Sequence, residues 1–154
     1  MLKVRVSAKA IIIDRNEVLF LAMRDDRGPY FLLPGGGQEH RESLTEAVKR
    51  ECLEEIGAEV EVGELWLVRD YIAANHEFAD LGLDFHQVEL MFRCRLVDRD
   101  AAKLGTVPDK AQVGIQWLPL SQLACVRIYP SCLAAELVRL AAGTPATVYL
   151  GDVN

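Results

Sequence analysis

Alternation opens the chain. Val4, Val6, Ala8 and Ala10 recur at every second position before Ile11 to Ile13 run on unbroken, which predicts a strand over 2–13 that becomes buried toward its end. Asp14-Arg15-Asn16 has turn chemistry, and the apolar run from Val18 to Met23 supplies the second arm of a hairpin. A polar loop over 25–29 leads to Phe31-Leu32-Leu33, which Pro34 and three glycines are expected to stop. Residues 59–72 read as a strand bent at Gly63, 73–84 as a polar loop, and 85–97 as a long strand with Val88, Leu90, Phe92 and Cys94 on one face. A second loop over 99–113 precedes a short strand at 115–118, a helical turn at 119–123 and a final strand at 147–150.

Two segments change period. Leu44, Val48, Cys52 and Ile56 repeat every four residues, with Ser43 and Glu46 spaced as a capping box and Gly57 as the stop. Pro130 suits the first turn of a last helix, which turns Leu133, Leu137 and Leu140 inward and ends at Gly143. With no repeat, linker or low-complexity stretch, the pattern describes one domain over 1–154, of α/β or α+β class.

Composition narrows the chemistry. Apolar residues are 51% and charged residues 26%, a globular balance. A net charge of −6 argues against a nucleic-acid polymer as partner, yet admits a small anion if a metal cation brings the two together. Cys52, Cys94, Cys125 and Cys132 have no paired spacing, so free thiols in a reducing cytoplasm are expected. His40, His76 and His86 lie far apart, which gives a histidine metal site little support. No signal peptide or membrane-spanning run is read, and no membrane partner is expected.

The segment from Pro34 to Ala58 carries most of the information. At about 100° per residue, Glu51, Glu54 and Glu55 share one helix face. That cluster is either a solvated acidic face, whose like-charge pairs cost only a few tenths of a kcal/mol, or a set of hard oxygen ligands for a divalent cation. Arg50 stands four residues from both Glu46 and Glu54 and is placed to pair with either.

The order Gly36, Glu42, Arg50, Glu51, Glu54, Glu55, Gly57 at these spacings, flanked by Leu33-Pro34-Gly35 and by Trp117-Leu118-Pro119-Leu120, resembles the complete signature of the Nudix hydrolases. The resemblance implies an α/β/α sandwich, a mixed sheet between helices with the signature as loop-helix-loop. It implies a magnesium site, with manganese able to substitute, formed by Glu51, Glu54, Glu55 and the carbonyl of Gly36. Arg50, Glu54 and Glu55 become the catalytic set, and Arg24, Gly36, Gly37 and Glu89 the substrate-binding one. Glu42 is expected to be structural, and Cys52 to replace a larger aliphatic residue. Glu89, Asp109 and Gln112 are further candidates for activating or orienting water, and Phe31, Trp66, Tyr71 and Phe85 for stacking on a base.

The implied reaction is hydrolysis of a diphosphate linkage in a nucleoside diphosphate derivative or nucleoside triphosphate, releasing a nucleoside monophosphate. Ala73-Ala74-Asn75 stands where the ADP-ribose and diadenosine branches carry a proline or tyrosine, which disfavours both. A nucleotide-sensing module without catalysis, an isoprenoid-diphosphate isomerase and a purely structural acidic helix are the competing readings, and a homodimer is left open.

Overall fold

In the computed structural model, which describes residues 3–77, 79–81, 84–145 and 147–154 (of Leu81 the backbone alone), the alternating stretch forms β1 (Arg5–Asp14). Leu2, its expected start, lies outside the described residues. Arg15 and Asn16 both adopt positive φ, the turn geometry that matches strand twist, and return the chain as β2 (Glu17–Asp25). There follow β3 (Gly28–Leu32), β4 (Gly35–Gly37), α1 (Leu44–Ile56), β5 (Val60–Ile72), β6 (His86–Leu96), β7 (Gln112–Pro119), α2 (Leu133–Ala141) and β8 (Tyr149–Asp152). The loop expected over 73–84 contains two 3-10 turns, Ala73–Asn75 and Ala79–Leu81. Its residues Phe78, Gly82 and Leu83 lie outside the described ones.

The mixed sheet runs β3-β2-β1-β6-β5-β8, with β4 beside β1 and β7 beside β2. β1 and β6 are parallel, whereas β5 and β6 are antiparallel and slip register between Val62 and Leu65, where the sequence placed a bend at Gly63. The three glycines do not end the chain's pairing as expected. They form β4 against β1, Gly35 opposite Lys9 and Gly37 opposite Ser7. Only glycine permits this, because a Cβ on Gly35 would lie 2.2 Å from the Ala8 carbonyl oxygen at a φ of +131°.

Each face of the sheet has its own core. Ala8, Ala10, Ile12, Leu19 and Leu21 pack with Val48, Cys52 and Ile56 of α1. Ile11, Phe20, Leu67 and Met91 pack with Leu133 and Leu137 of α2. Full burial of such side chains contributes about 1.5–3 kcal/mol each, so the alternation along β1 and β2 is what holds a helix on either side. This is the three-layer sandwich expected. Cys52 is fully buried and acts as a small hydrophobe.

Val88, Leu90, Phe92 and Cys94 share one face of β6 as expected, and at the start of the strand the other face is covered as well, so that Gln87, Glu89 and Met91 are buried there while Val88 and Leu90 are half-buried. One local expectation needs correction. Pro130 precedes α2, which is capped at Cys132. The helix ends as expected at Gly143, with the Gly143 and Thr144 N–H groups donating to the carbonyls of Leu140 and Arg139. No described helix is long and apolar enough to cross a membrane.

Candidate active site

α1 is fastened at both ends before it presents any chemistry. At its start Ser43 Oγ accepts from the Glu46 N–H at 3.3 Å, and Glu46 Oε2 accepts from the Ser43 N–H at 2.7 Å, a complete capping box. Glu46 is thereby occupied and does not pair with Arg50, contrary to the spacing argument. Arg50 forks onto Glu42 instead, at 2.7 Å from Nε and 3.0 Å from Nη2. It also donates to the Gly37 carbonyl at 3.0 Å, to Glu51 at 3.0 Å and to Glu54 at 3.5 Å. The guanidinium beside Glu42 holds that carboxyl below its usual range, and the Glu42 carboxylate raises the proton affinity of Arg50 in return. Glu42 is therefore the tether that orients Arg50.

At the other end, the carbonyls of Glu54, Glu55 and Ile56 accept from the N–H groups of Val107, Gly105 and Lys103, at 3.0, 3.0 and 2.9 Å. A helix normally leaves such carbonyls to a cap or to water. A Cβ on Gly105 would lie 2.0 Å from the Glu54 carbonyl oxygen, so backbone would have to move. Gly105→Ala is expected to destabilise the protein by about 1–3 kcal/mol, the usual scale for overpacking. A denaturation midpoint unchanged from wild type would show that this loop does not grip the helix.

The acidic face of α1 opens onto a pocket of about 720 Å³, where Glu51, Glu54 and Glu55 meet the glycines of β4. Its floor is the sheet face that α2 covers further along. Past Ile11, Leu67 and Met91 that face turns polar, with Arg5, Ser7 and Lys9 on β1, Gln87 and Glu89 on β6, and Arg69 and Tyr71 on β5. Register lines them up: Ser7, Glu89 and Arg69 form one row across the three strands, and Arg5, Gln87 and Tyr71 the next.

Glu55 is the most perturbed carboxylate at the site. It is 5% exposed, and Gly35 donates its N–H to Oε2 at 2.8 Å. Burial pushes its pKa from 4.5 up to about 7; Lys9 and the Gly35 N–H oppose the rise, while Glu51 and Asp109 add to it. Lys9 Nζ donates to the Gly35 carbonyl at 2.7 Å and Ser7 Oγ to the Gly36 carbonyl at 3.0 Å, so β1 side chains also position the glycine strand. A Cβ on Gly36 would stand 2.4 Å from Glu51 Oε1, which makes glycine a requirement of that contact.

The other sequence candidates divide. Tyr71 and Phe85 line the pocket, with ring centroids 6.2 Å apart. Phe31 is core, edge-on to Phe20, and Trp66 lines a separate groove beside Ile13 and Leu140, packed against the core under α2. Arg24 is exposed, paired in register with Pro29, and does not line the pocket, because its neighbour Met23 takes the inward position. Gly37 lies beside the pocket and spends its carbonyl on Arg50.

Glu89 lies in the floor with both oxygens engaged, one by Arg69 Nε at 2.6 Å and the other by Gln87 Nε2 at 2.7 Å. Burial alone would raise its pKa, but Lys9, Arg69 and Gln87 outweigh that and hold it below the ordinary value. Gln112 does not face the pocket. It donates to the Glu55 carbonyl at 2.9 Å and accepts from the Asp109 N–H at 3.3 Å, leaving Asp109 as the loop's pocket-facing carboxylate. His76 and His86 are satisfied by Asp152 and Asp70.

Among the described residues, no three Asp, Glu, His or Cys side chains form a closed metal cage. Arg50 draws Glu51 aside and Gly35 holds Glu55, so the three helix carboxylates share one pocket wall without converging on a point. Arg5, Lys9, Arg69 and Gln87 were missed from sequence. For Arg5, Lys9 and Gln87 the signal was present, since each sits on the complementary phase of a period-two strand whose apolar phase alone attracted notice.

Comparison with known proteins identifies the family and the fold. The family model for the NUDIX domain matches residues 3–136. A nucleoside triphosphatase NudI from Enterobacter sp. (strain 638) is 32% identical over 95 residues, covering 58% of this chain and 67% of the relative. The protein of the same name from Salmonella newport (strain SL254) is 30% identical over 110 residues, covering 68% and 78%. A NUDIX hydrolase from Nitrosomonas europaea has the same fold, with a TM-score of 0.73 at 22% identity over 100% of this chain and 81% of that one. A MutT NUDIX hydrolase from Burkholderia pseudomallei reaches a TM-score of 0.68 at 26% identity, covering 89% and 99%. The chain belongs to the Nudix family of pyrophosphohydrolases.

Proposed function

We propose that this chain is a magnesium-dependent hydrolase, with manganese as an effective substitute, that cleaves the diphosphate linkage of a nucleoside diphosphate derivative or a nucleoside triphosphate and releases a nucleoside monophosphate. The observation that carries the reading is that the α1 carboxylates and the cationic side chains of β1 open into one pocket. The names of the NudI relatives support a nucleotide as the substrate. Four free thiols suit a reducing cytoplasm.

The donor set suits a hard divalent cation. Glu51, Glu54, Glu55 and the Gly36 carbonyl offer only oxygen, and no His or Cys is among the described residues lining the pocket. When bound, such an ion screens phosphate charge and orients the attacking water. The chain's own groups do the rest. Lys9 and Arg5 offset the phosphate charge from the floor. Arg50, held by Glu42, fixes Glu51 and restrains Glu54. Glu54 and Glu55 are the carboxylates assigned to accept the proton of the attacking water.

The test is incubation with a panel of nucleoside diphosphate derivatives and nucleoside triphosphates, with magnesium, with manganese and with excess chelator. Nucleoside monophosphate is expected only with metal, at rates that rise toward alkaline pH. Full turnover in chelator would overturn the metal assignment, and binding without product would favour a sensor.

A further inference from the structure

Two side chains in the pocket floor are buried and yet incomplete. Arg69 is 6% exposed and Gln87 8%. Glu89 stands between them, one oxygen on Arg69 Nε and the other on Gln87 Nε2. The carboxylate only accepts, which settles the direction of the Gln87 amide: its NH2 faces Glu89 and its oxygen faces away. Arg69 spends Nη1 on the Val153 carbonyl and Asn154 Oδ1. Arg69 Nη2 and Gln87 Oε1 remain, and among the described residues neither has a hydrogen-bond partner. The sealed, partnerless side-chain atoms are elsewhere, at Arg127 and Glu136, so these two atoms keep access to open space. The space that both residues line is the pocket.

One clamped donor and one clamped acceptor, side by side, specify a ligand with an acceptor next to a donor. A phosphate does not fit, because it offers no donor and would meet the oxygens of Gln87 and Glu89. A planar ring does fit. Tyr71 lies opposite Gln87 in register, its ring stacked on His76 with centroids 5.4 Å apart and the Arg69 guanidinium 5.3 Å from its centroid, so it backs Phe85, the aromatic beside it that lines the pocket. Aromatic walls of this kind take the face of a base while polar groups read its edge. The donor is a cation, and among the neutral groups on a base edge its charge-assisted hydrogen bond favours a carbonyl oxygen.

Resting on the nucleotide reading of this site, we propose that Arg69 and Gln87 read a lactam base (uracil, thymine or guanine), Arg69 Nη2 donating to the ring carbonyl and Gln87 Oε1 accepting from the adjacent ring N–H. Glu89 is the positioning residue that holds the pair. With the ring held in that placement, exocyclic group toward Arg69 and ring position toward Gln87, cytosine and adenine present the reverse order, setting an amino group against the guanidinium and a ring nitrogen against the Gln87 oxygen.

The experiment compares bases of equal size, uracil with cytosine and guanine with adenine. It measures kcat and KM for the four nucleoside triphosphates, and dissociation constants for their α,β-methylene analogues, which cannot be cut at that linkage. In the size class that binds more tightly, the lactam base is expected to lead at least about tenfold, the low end of what a bidentate contact discriminates. The difference should lie in KM rather than kcat. Gln87→Met should raise KM for the lactam base about tenfold and leave its amino counterpart within about twofold. Glu89→Gln frees the Gln87 amide to turn either way and should bring the ratio toward one, with the melting temperature recorded for each variant. Equal or inverted preference in the wild type overturns the proposal, as does a Gln87→Met variant that weakens every base alike. Binding of the analogues without turnover removes the hydrolase reading but leaves the base ratio to be judged from the dissociation constants; no binding of any analogue removes both.

Discussion

Glu54→Gln and Glu55→Gln are each expected to lower the rate constant for hydrolysis at least about a hundredfold, the scale for losing a key electrostatic or acid-base group. Both substitutions keep shape and remove one charge from the wall that faces the substrate. Their effects on stability should differ. Glu54 is partly exposed, three residues from Glu51 and 3.5 Å from Arg50, so its loss relieves a repulsion and gives up an ion pair of similar size, about a few tenths of a kcal/mol each, and stability should hardly change. Glu55 is buried, with its pKa raised from 4.5 to about 7. Below pH 4.5 both folded and unfolded chains hold its proton, and the group costs nothing. Between 4.5 and 7 the folded chain holds the proton more tightly, so stability declines as pH rises. Above 7 the buried charge is present in full, at a cost of roughly 3 kcal/mol for a shift of this size. In chelator, Glu55→Gln should therefore gain on wild type as pH rises from 4.5 to 7 and stay ahead beyond it. Thermal melting across that range, alongside the rate with magnesium, gives the readout. A variant that keeps the full rate sinks the site assignment, as does one that loses activity only by unfolding.

Arg50→Ala is expected to cost more activity than the loss of a surface arginine would, by about tenfold to a hundredfold in kcat. Its five contacts join the glycine strand, the loop before the helix and two of the three helix carboxylates. Removing it leaves Glu42 and Glu51 unpaired in partly buried positions and frees Glu51 from its orientation. A charged hydrogen bond to such a group contributes about 1.5–3 kcal/mol, so melting temperature should fall as well. Lys49 is exposed on the same helix and lines no part of the pocket, which makes Lys49→Ala the control. Steady-state kinetics of the two variants decide the point; equal losses would contradict the described geometry.

How far sequence reasoning reached depended on whether a signal was local. The capping box of α1, its Gly57 stop and the inward leucines of α2 follow from spacing within one element, and they stand where that spacing put them. The period-two pattern of β1 and β2 likewise foretold two faces. Partners that come from another element were out of reach. Glu46 and Arg50 have an ideal helical spacing, yet the cap claims one and Glu42, eight residues away, claims the other. Gln112 looked free in its loop but serves the Glu55 carbonyl 57 positions back. β4 was hidden because pairing by glycine depends on what comes close, a property of β1 and Glu51 rather than of the glycines themselves.

The grip of the long loop on the end of α1 limits how the chain can vary. Lys103, Gly105 and Val107 meet three consecutive helix carbonyls in descending order, so every second residue of an extended segment matches one residue of the helix. Ordinary surface loops accept insertions at little cost, since closure entropy grows slowly with length. Here one added residue between 103 and 107 would turn alternate N–H groups outward and leave helix carbonyls beside the site without donors. Length variation in this connection is confined to the residues before Lys103 or after Val107, and the spacing between them is as fixed as that of a sheet.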